Sequence, residues 1–223
     1  MTPHSPRPVL SGQTVALIPV RSLTGGKTRL AGALDGAGRA DLIGEMLGGV
    51  VSAALTSGMI GRIIVISPDE NVLSLAGHLA PDLIALQQAG GSPGLIPALD
   101  QGRAFAIDRG AAAMLILFGD LPLLSADDVR TMAASEASVV ISPDRHGEGT
   151  NALLLRFDSG AGRDDAFRFV FRFGPGSFRK HLAEADRLSL TTETVVTAGT
   201  SLDVDTPADL AEWTARSVAP AAH

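Results

Sequence analysis

The sequence predicts an α/β protein with a Rossmann-like arrangement, in which helices cover both faces of a mostly parallel central sheet. Short apolar runs rich in strand-forming residues alternate along the chain with longer segments of helical periodicity. Several of the short runs, such as 63–66 and 114–117, are apolar at consecutive positions. Continuous apolar runs are typical of parallel strands that are buried on both faces.

The alternation predicts seven strands and six helices. The predicted strands are 14–20, 61–66, 83–86, 114–118, 138–141, 151–156 and 195–204. The predicted helices are 39–57, 69–79, 95–108, 126–134, 175–185 and 207–215. Ser125 is the predicted N-cap of the fourth helix, and Thr206 is that of the last, which begins at Pro207.

We expect one domain over residues 14–216, because neither an internal repeat nor a long linker interrupts the alternation. Residues 1–13 and 217–223 are predicted to be flexible ends. Glycine and mixed charge mark 157–172 as an insertion or hairpin arm exposed to solvent.

The composition excludes several functional classes. The chain has no cysteine, so it has no disulfide or thiolate nucleophile, and a metal ion must be held by oxygen or histidine. The formal charge of -6 argues against binding to a nucleic-acid backbone. The longest purely apolar run, 111–118, is far shorter than the roughly 20 residues that span a bilayer, and the chain starts without the apolar stretch of a signal peptide. We therefore expect a cytoplasmic protein that binds neither nucleic acid nor membrane.

A basic, glycine-containing segment follows the first predicted strand, where open α/β sheets bind their ligands. It contains Arg21, Gly25, Gly26, Lys27 and Arg29. The glycines allow close backbone approach, and three cations can neutralise a triphosphate. The segment is not a P-loop, because only its Gly-Lys-Thr run matches the end of that pattern. The alternative is a solvated basic turn that enters a helix; its place after the first strand favours phosphate binding.

Three aspartates are candidate ligands of a metal ion. Asp120 ends an apolar strand, where a carboxylate is costly unless it meets a cation or hydrogen-bond donors, and Ser125 already serves as the cap of the next helix. Asp203 and Asp205 stand two residues apart in an extended segment, so both point to one face. The alternative, that Asp205 or Thr206 caps the last helix, leaves Asp203 unexplained. An all-oxygen set suits Mg²⁺ beside substrate phosphates.

Two more loops are suited to a carboxylate or a phosphate. Thr150 and Asn151 follow a glycine-containing loop at the start of a strand, and Gly174 and Ser177 stand at the entry to a helix. Backbone N–H groups at a helix N-terminus, together with a serine hydroxyl, can bind an anion. The alternative is that the polar and charged residues of these loops are ordinary surface residues.

Taken in order, these motifs resemble the guanylyltransferase family of coenzyme F-420 biosynthesis that acts on 2-phospho-L-lactate or phosphoenolpyruvate. The matching pieces are LIPVRSL with KTRL, GDLPLL, ISPDRHGEGTNALLL, FGPGSFRKH and LDVDTPADL, which together span residues 16–210. The resemblance implies a Rossmann-like nucleotidyltransferase fold and a magnesium-dependent reaction. In that reaction a phosphate oxygen of the acceptor attacks the α-phosphorus of GTP and pyrophosphate leaves.

The resemblance also implies roles for individual residues. The catalytic residues would be Arg21, Lys27 and Asp120, and the Mg²⁺ ligands would be Asp120, Asp203 and Asp205. The nucleotide would meet Gly25, Gly26, Arg29 and Gly94, and the acceptor would meet Thr150, Asn151, Gly174 and Ser177. Relatives often carry Gly-Leu-Asn where this chain has Gly94-Leu95-Ile96, which leaves the choice of base open.

Several alternatives remain at this point. The acceptor implied is phosphoenolpyruvate, 2-phospho-L-lactate or 3-phosphoglycerate, since family members use all three. A cytidylyl- or molybdopterin-type nucleotidyltransferase and a non-catalytic nucleotide-binding module share the same predicted fold. The partners implied are GTP and a small phosphorylated carboxylic acid, with a second copy of the chain if it forms a homodimer.

Overall fold

A computed structural model of the chain describes residues 10, 12–91, 93–157 and 168–218. The strands are β1 (Thr14–Pro19), β2 (Arg62–Ser67), β3 (Ile84–Gln87), β4 (Ala113–Leu117), β5 (Val139–Pro143), β6 (Thr150–Arg156) and β7 (Thr192–Thr194). The helices are α1 (Gly36–Thr56), α2 (Glu70–Leu79), α3 (Leu95–Asp108), α4 (Ala126–Ala134), α5 (Ser177–Arg187), α6 (Ala198–Ser201) and α7 (Pro207–Val218). A 3₁₀ turn covers Thr28–Leu30.

The strands form one seven-stranded sheet in the order β3-β2-β1-β4-β6-β5-β7. β6 runs antiparallel to both of its neighbours, whereas the other described pairings are parallel. The predicted mostly parallel sheet is thus confirmed. The chain leaves β1 toward β2 on one side and returns from β3 to β4 on the other, so the order reverses between β1 and β4. Such a switch point opens a crevice at the carboxyl ends of the strands.

Apolar side chains fill both faces of the sheet. Alternate residues of β1 enter different cores: Ala16 and Ile18 pack with α1 and α4, and Val15 and Leu17 pack with α3. All five residues of β4 are buried, as the continuous apolar run predicts. None of the helices in the described part of the chain is both long and apolar enough to cross a bilayer.

The six predicted helices are present, with ends shifted by a few residues at most. The predicted cap of α4 is also confirmed: the Ser125 hydroxyl accepts from the Asp128 N–H, and Asp128 accepts in return from the Ser125 N–H. At the start of α7 the Asp209 N–H donates to the Thr206 hydroxyl, as the capping pattern predicts.

The predicted strand over 195–204 is wrong. The strand β7 covers Thr192–Thr194 instead, and the helical turn α6 follows it. The β-branched residues of the segment favour a strand, but the Thr197 side chain accepts from the Thr200 N–H and caps the turn. A Cβ at Gly199 would lie 2.7 Å from the Leu123 carbonyl oxygen, so the turn packs closely against the loop before α4.

In the described part of the predicted 157–172 insertion or arm, buried and exposed residues alternate. Phe157, Phe169 and Phe171 are buried in the core on the α3 side of the sheet, while Val170 is 40% exposed. The rest of the segment, 158–167, lies outside the described residues, as do most of the two predicted flexible ends. Leu10 is described and buried, and its N–H donates to the Arg109 carbonyl, so this part of the 1–13 segment packs on the domain.

Candidate active site

A cleft of about 930 Å³ opens at the switch point of the sheet. One wall is the segment after β1, which includes Arg21, Gly25, Gly26 and Lys27. Asp120, just beyond β4, lies at the same cleft, and so does Asp205 from the segment before α7. The predicted phosphate-binding segment and two of the three predicted acids therefore meet at one place, although Asp205 is far from both in the sequence.

The segment after β1 is anchored to the N-terminus of α2. The carboxylate of Asp69 accepts from the Ser22 hydroxyl at 2.7 Å and from the Leu23 N–H at 3.2 Å. The Ser22 hydroxyl lowers the pKa of the Asp69 carboxyl by its hydrogen bond. The Ser22 oxygen in turn accepts from the Gly25 N–H. A Cβ at Gly26 would lie 2.9 Å from both the Ile43 side chain and the Ser22 carbonyl oxygen, so glycine is required for this path.

Lys27 points from this segment to the two carboxylates. Its backbone lies in the left-handed region with φ 53°, which is unusual for a residue with a side chain. Its Nζ lies 2.5 Å from an Asp120 oxygen and 2.7 Å from an Asp205 oxygen. Burial by itself lowers the pKa of this ammonium, but Asp120 and Asp205 outweigh that effect and raise the pKa above its ordinary value. Lys27 is therefore charged at neutral pH.

The acidic segment before α7 is fastened to the end of β4. The Val204 N–H donates to the Asp120 carbonyl at 3.2 Å. On the far side of that bond the Asp209 carboxylate accepts from the Asp205 N–H at 3.1 Å and from the Thr206 N–H at 2.7 Å. Asp209 is only 4% exposed and is paired with the Arg145 guanidinium. These contacts fix the backbone at Asp205 and thereby the direction of its side chain.

Asp203 is the third predicted acid; it is half-buried and does not line the cleft. Burial raises the pKa of its carboxyl, and the negative charges of Asp120 and Asp205 raise it further. The Asn151 amide donates to Asp203 at 3.3 Å and to the Thr200 carbonyl at 3.0 Å. The charges of Asp120 and Asp205 thus repel that of Asp203. A cation bound near the three carboxylates would reduce this repulsion.

The carboxylates are of the right chemical type for a divalent ion, but they are not yet arranged as a metal site. In the described ranges, no three His, Asp or Glu side chains are grouped so that they could hold an ion. The ammonium of Lys27 contacts both Asp120 and Asp205. Since all three predicted ligands are carboxylates and repel one another, the donor set fits Mg²⁺.

The other predicted nucleotide residues lie unequally with respect to the cleft. Gly94 lines the cleft and is the N-cap of α3, with φ 117°. Arg21 lines it with an exposed side chain. Arg29 is exposed and does not line this cleft, although Thr28 of the same 3₁₀ turn does.

The sequence reading missed the wall formed by residues just after β3. Gln87 and Gln88 line the cleft. The Gln88 amide donates to the Gly94 carbonyl at 3.0 Å, and the Gln101 amide of α3 donates to the Gln87 carbonyl at 2.8 Å. These bonds join the ends of β3 and the start of α3. The rule that places ligands at the carboxyl ends of strands applies to β3 as well as to β1, and could have found this wall.

The four predicted acceptor residues do not line this cleft; they cluster at the start of β6 and of α5. Thr150, Asn151 and Ser177 are buried, and Gly174 is exposed with φ 113°. The Ser177 N–H donates to the Gly174 carbonyl, so these two form one turn.

An aromatic contact joins the turn between Gly174 and Ser177 to the cleft. The ring of Phe173 meets that of Phe118 edge-to-face at 5.2 Å, and Phe118 lines the cleft. The predicted acceptor residues thus lie beside the cleft, on its Asp120 side.

His181 ties Thr150 to the segment before α5. Its Nε2 accepts from the Arg172 N–H at 2.9 Å, so the neutral ring carries its proton on Nδ1 and donates to the Thr150 hydroxyl at 3.0 Å. Burial lowers the pKa of His181 to about 4, an effect larger than the opposing charge of Glu184. The histidine is therefore a neutral, hydrogen-bonded core residue at neutral pH.

Comparison with known proteins agrees with the geometry. The family described as "Guanylyl transferase CofC like" matches residues 14–216. A phosphoenolpyruvate guanylyltransferase of Rubrobacter xylanophilus is 42% identical over 199 residues, which cover 88% of this chain and 91% of the relative. A 2-phospho-L-lactate guanylyltransferase of Methanothermobacter thermautotrophicus is 36% identical over 205 residues, covering 90% of this chain and 83% of the relative.

Solved structures show the same fold at low sequence identity. A protein of Desulfovibrio desulfuricans G20 described as a nucleotide-diphospho-sugar transferase has a TM-score of 0.75 at 17% identity, covering 94% of this chain and 90% of its own. CMP:2-keto-3-deoxy-manno-octonic acid synthetase, solved with CTP, has a TM-score of 0.64 at 16% identity, covering 92% of this chain and 98% of its own. The predicted Rossmann-like nucleotidyltransferase fold is thus confirmed. By its sequence and its fold, the chain is a nucleotidyltransferase that belongs to the CofC-like guanylyltransferase family.

Proposed function

We propose that this protein transfers GMP from GTP to the phosphate of a small phosphorylated carboxylic acid, phosphoenolpyruvate or 2-phospho-L-lactate, and releases pyrophosphate. The observation that carries the proposal is the contact of Lys27 with Asp120 and Asp205 on the wall of a large cleft. Cations and carboxylates that meet at the switch point of an α/β sheet supply the charges that phosphoryl transfer needs. Relatives that bear these two activities are 42% and 36% identical to the chain.

The proposed reaction does not require a side chain of the protein as nucleophile. An oxygen of the acceptor phosphate forms a bond to the α-phosphorus of GTP, and the bond from that phosphorus to the oxygen of the leaving pyrophosphate breaks. The second pKa of a phosphate monoester is about 6, so the acceptor is largely a dianion at neutral pH and needs no general base. Positioning and neutralisation of charge are then the main tasks of the protein.

The triphosphate would lie against the segment after β1. Gly25 and Gly26 allow its backbone to approach phosphate oxygens, and Lys27 and Arg21 supply positive charge at the cleft. Arg29 would act from the rim, since it is exposed beside this segment. The base would extend toward Gly94 and the wall after β3, where backbone and amide groups offer hydrogen bonds.

Magnesium would be held by Asp120, Asp203 and Asp205. When bound there, the ion neutralises charge on the triphosphate and on the leaving pyrophosphate. The cations of the chain would orient the phosphates: Lys27 and Arg21 would bind phosphate oxygens, and Asp120 and Asp205 would position Lys27. Asn151 holds Asp203 in place by its amide.

The acceptor would lie on the Asp120 side of the cleft, near Gly174 and Ser177. The turn that they form lies at the N-terminus of α5, where the positive end of the helix dipole favours a carboxylate. Thr150 would add its hydroxyl proton, because its oxygen already accepts from His181.

Product analysis tests the proposal and separates it from its alternatives. The purified protein is incubated with MgCl₂ and GTP, and phosphoenolpyruvate, 2-phospho-L-lactate and 3-phosphoglycerate are supplied separately. Mass spectrometry of the products and pyrophosphate release are followed. A guanylylated acid in one of the first two reactions supports the proposal. Product only with 3-phosphoglycerate, or only with CTP in place of GTP, would assign another acceptor or another base.

The proposed reaction belongs to coenzyme F-420 biosynthesis, which would take place in the cytoplasm, where GTP and phosphorylated acids are available. A homodimer remains part of the proposal, and light scattering of the purified chain with and without GTP measures its mass.

A further inference from the structure

Lys27 occupies the place between the carboxylates where a divalent ion would have to bind. Its Nζ contacts an oxygen of Asp120 and an oxygen of Asp205 at hydrogen-bonding distance, and its side chain is only 11% exposed. An ion that approaches Asp120 and Asp205 from the cleft therefore meets an ammonium already bonded to both.

The position of Lys27 is built into the fold from its own side. Asp69 holds Ser22 and Leu23 at the base of the segment, and Gly26 allows a path that a Cβ would obstruct. The left-handed backbone of Lys27 is an uncommon conformation for a residue with a side chain. Backbone strain of this kind persists only where the surrounding contacts determine it. The backbone of this segment therefore directs the Lys27 ammonium to the carboxylates.

The carboxylates are equally well held from their side. The Val204 N–H joins the acidic segment to the Asp120 carbonyl, and Asp209 accepts from the Asp205 N–H. Both partners of the contact thus stand on anchored backbone. If a metal ion displaces the Lys27 ammonium from Asp120 and Asp205, the ammonium needs another anionic partner, because a buried charge without a partner is costly.

We infer that Lys27 is the internal counter-ion of Asp120 and Asp205, and that the ligand of these carboxylates is a metal–triphosphate complex and not a free divalent ion. A triphosphate brings the oxygens to which the ammonium can turn, so the ion and the triphosphate arrive together. The inference rests on the proposed function in one respect, the triphosphate as ligand. In the absence of nucleotide, the ammonium keeps free ions out of the site.

The test measures metal binding without nucleotide or acceptor. Free Mn²⁺ is followed by electron paramagnetic resonance during titration of the wild-type protein, of Lys27→Met and of Arg21→Met. The variant Lys27→Met keeps the length of the side chain and removes the charge. We expect it to bind Mn²⁺ at least ~10-fold more tightly than the wild type does, since the competing cation is gone.

Arg21→Met is the matched control, because Arg21 is a cation of the same cleft that is exposed to solvent. We expect its Mn²⁺ affinity to change by less than about threefold, as a screened surface charge should. An equal gain of Mn²⁺ affinity in both variants would mean that any positive charge at the cleft has this effect, and it would overturn the inference. Tight Mn²⁺ binding by the wild type alone would overturn it as well.

A second readout covers the stability of the variant. Without Lys27 two close carboxylates lose their cation, so the melting temperature of Lys27→Met should fall and should recover on addition of MgCl₂, whereas that of the wild type should respond little. Lys27→Gln repeats both measurements if the methionine variant does not fold. These assays contain no GTP, so they test the role of Lys27 separately from the proposed reaction. An unchanged Mn²⁺ affinity in Lys27→Met would reject the counter-ion role of Lys27, even if the wild type catalyses guanylyl transfer. The absence of transfer would reject the proposed reaction alone.

Discussion

Single charged residues decide what the cleft can bind. Asp120 supplies a side-chain oxygen to Lys27 and a backbone oxygen to Val204, so it contacts both the basic segment and the acidic segment. Removal of its charge alters the site without removing its shape. Asn at this position keeps an oxygen that can accept from Lys27, and the contacts of Asp205 with Lys27 are untouched.

We therefore predict that Asp120→Asn lowers kcat/KM for guanylyl transfer by at least ~100-fold, because a charge that acts on the reacting phosphates is lost. The melting temperature should stay within a few degrees of that of the wild type. Asp82→Asn is the control, since Asp82 is an acid with a side chain 86% exposed, far from the cleft. Full activity in Asp120→Asn would show that the charge of Asp120 is not needed for the transfer and would contradict its catalytic role.

His181 makes a second prediction, on stability against pH. Its pKa is lowered from 6.5 to about 4 by burial, so the unfolded chain binds more protons than the folded chain between these values. The folded state should therefore lose stability as the pH falls from 6.5 to 4, by about 3 kcal/mol in total from this group. Above pH 6.5 the contribution does not change.

Urea unfolding of the wild type and of His181→Gln at pH 7.5, 5.5 and 4.5 measures this effect. The variant should be less stable at pH 7.5, because it loses the hydrogen bonds to Arg172 and Thr150. The difference between the two proteins should shrink as the pH falls, since glutamine does not titrate. A constant difference across the series would mean that His181 is not the titrating group.

At the scale of elements, the segment from Leu202 to Thr206 acquires its shape from the helix that follows it. The Asp209 carboxylate of α7 binds the N–H groups of Asp205 and Thr206, and a charged partner, Arg145, holds Asp209. The same type of capping box starts α4 at Ser125, away from the cleft lining. The box at Thr206 fixes the backbone of Asp205, which lines the cleft, whereas the box at Ser125 caps the start of α4.

This contrast gives a prediction for two caps. Asp209→Ala should lower the free energy of unfolding by about 2 kcal/mol and also lower kcat/KM by at least ~10-fold, because the backbone of Asp205 is released. Ser125→Ala should cost about 1 kcal/mol with kcat/KM preserved. Denaturant unfolding and initial rates at 25 °C measure both quantities. Equal activity losses in the two variants would refute a special role of Asp209.

At the scale of the whole molecule, helices cover both faces of the sheet. On one face α3 lies unusually close to β1, because Gly102 presents no side chain: a Cβ there would lie 2.5 Å from a methyl carbon of Leu17. Gly94, the N-cap of α3, lines the cleft, so the contact between Gly102 and Leu17 helps to position this part of the cleft.

Gly102 and Leu17 should therefore be energetically coupled. Gly102→Ala should cost about 1–3 kcal/mol by overpacking, and Leu17→Ala about 2–5 kcal/mol by leaving a cavity. In the double variant the added methyl group enters the cavity, so the loss should be smaller than the sum of the single losses by at least ~1 kcal/mol. Additive losses in denaturant unfolding would contradict the close approach of α3 to β1.

The local pattern of the chain determined the elements. Consecutive apolar residues predicted β4 and the other central strands, and the predicted helices and the cap at Ser125 are found in the structure. Local signals suffice where burial on two faces and capping act within a few residues. They failed at 195–204, where the β-branched residues favour a strand and the side chain of Thr197 caps a helical turn instead.

Only the tertiary structure decided how the charged residues meet. The sequence alone determined that a basic segment follows the first strand and that three aspartates follow apolar or extended segments. It did not show that Lys27 contacts Asp120 and Asp205, because that contact joins residues 93 and 178 positions apart. It also did not show the wall after β3. Contacts between distant segments depend on strand order and on the path of each loop, which spacing along the chain does not specify.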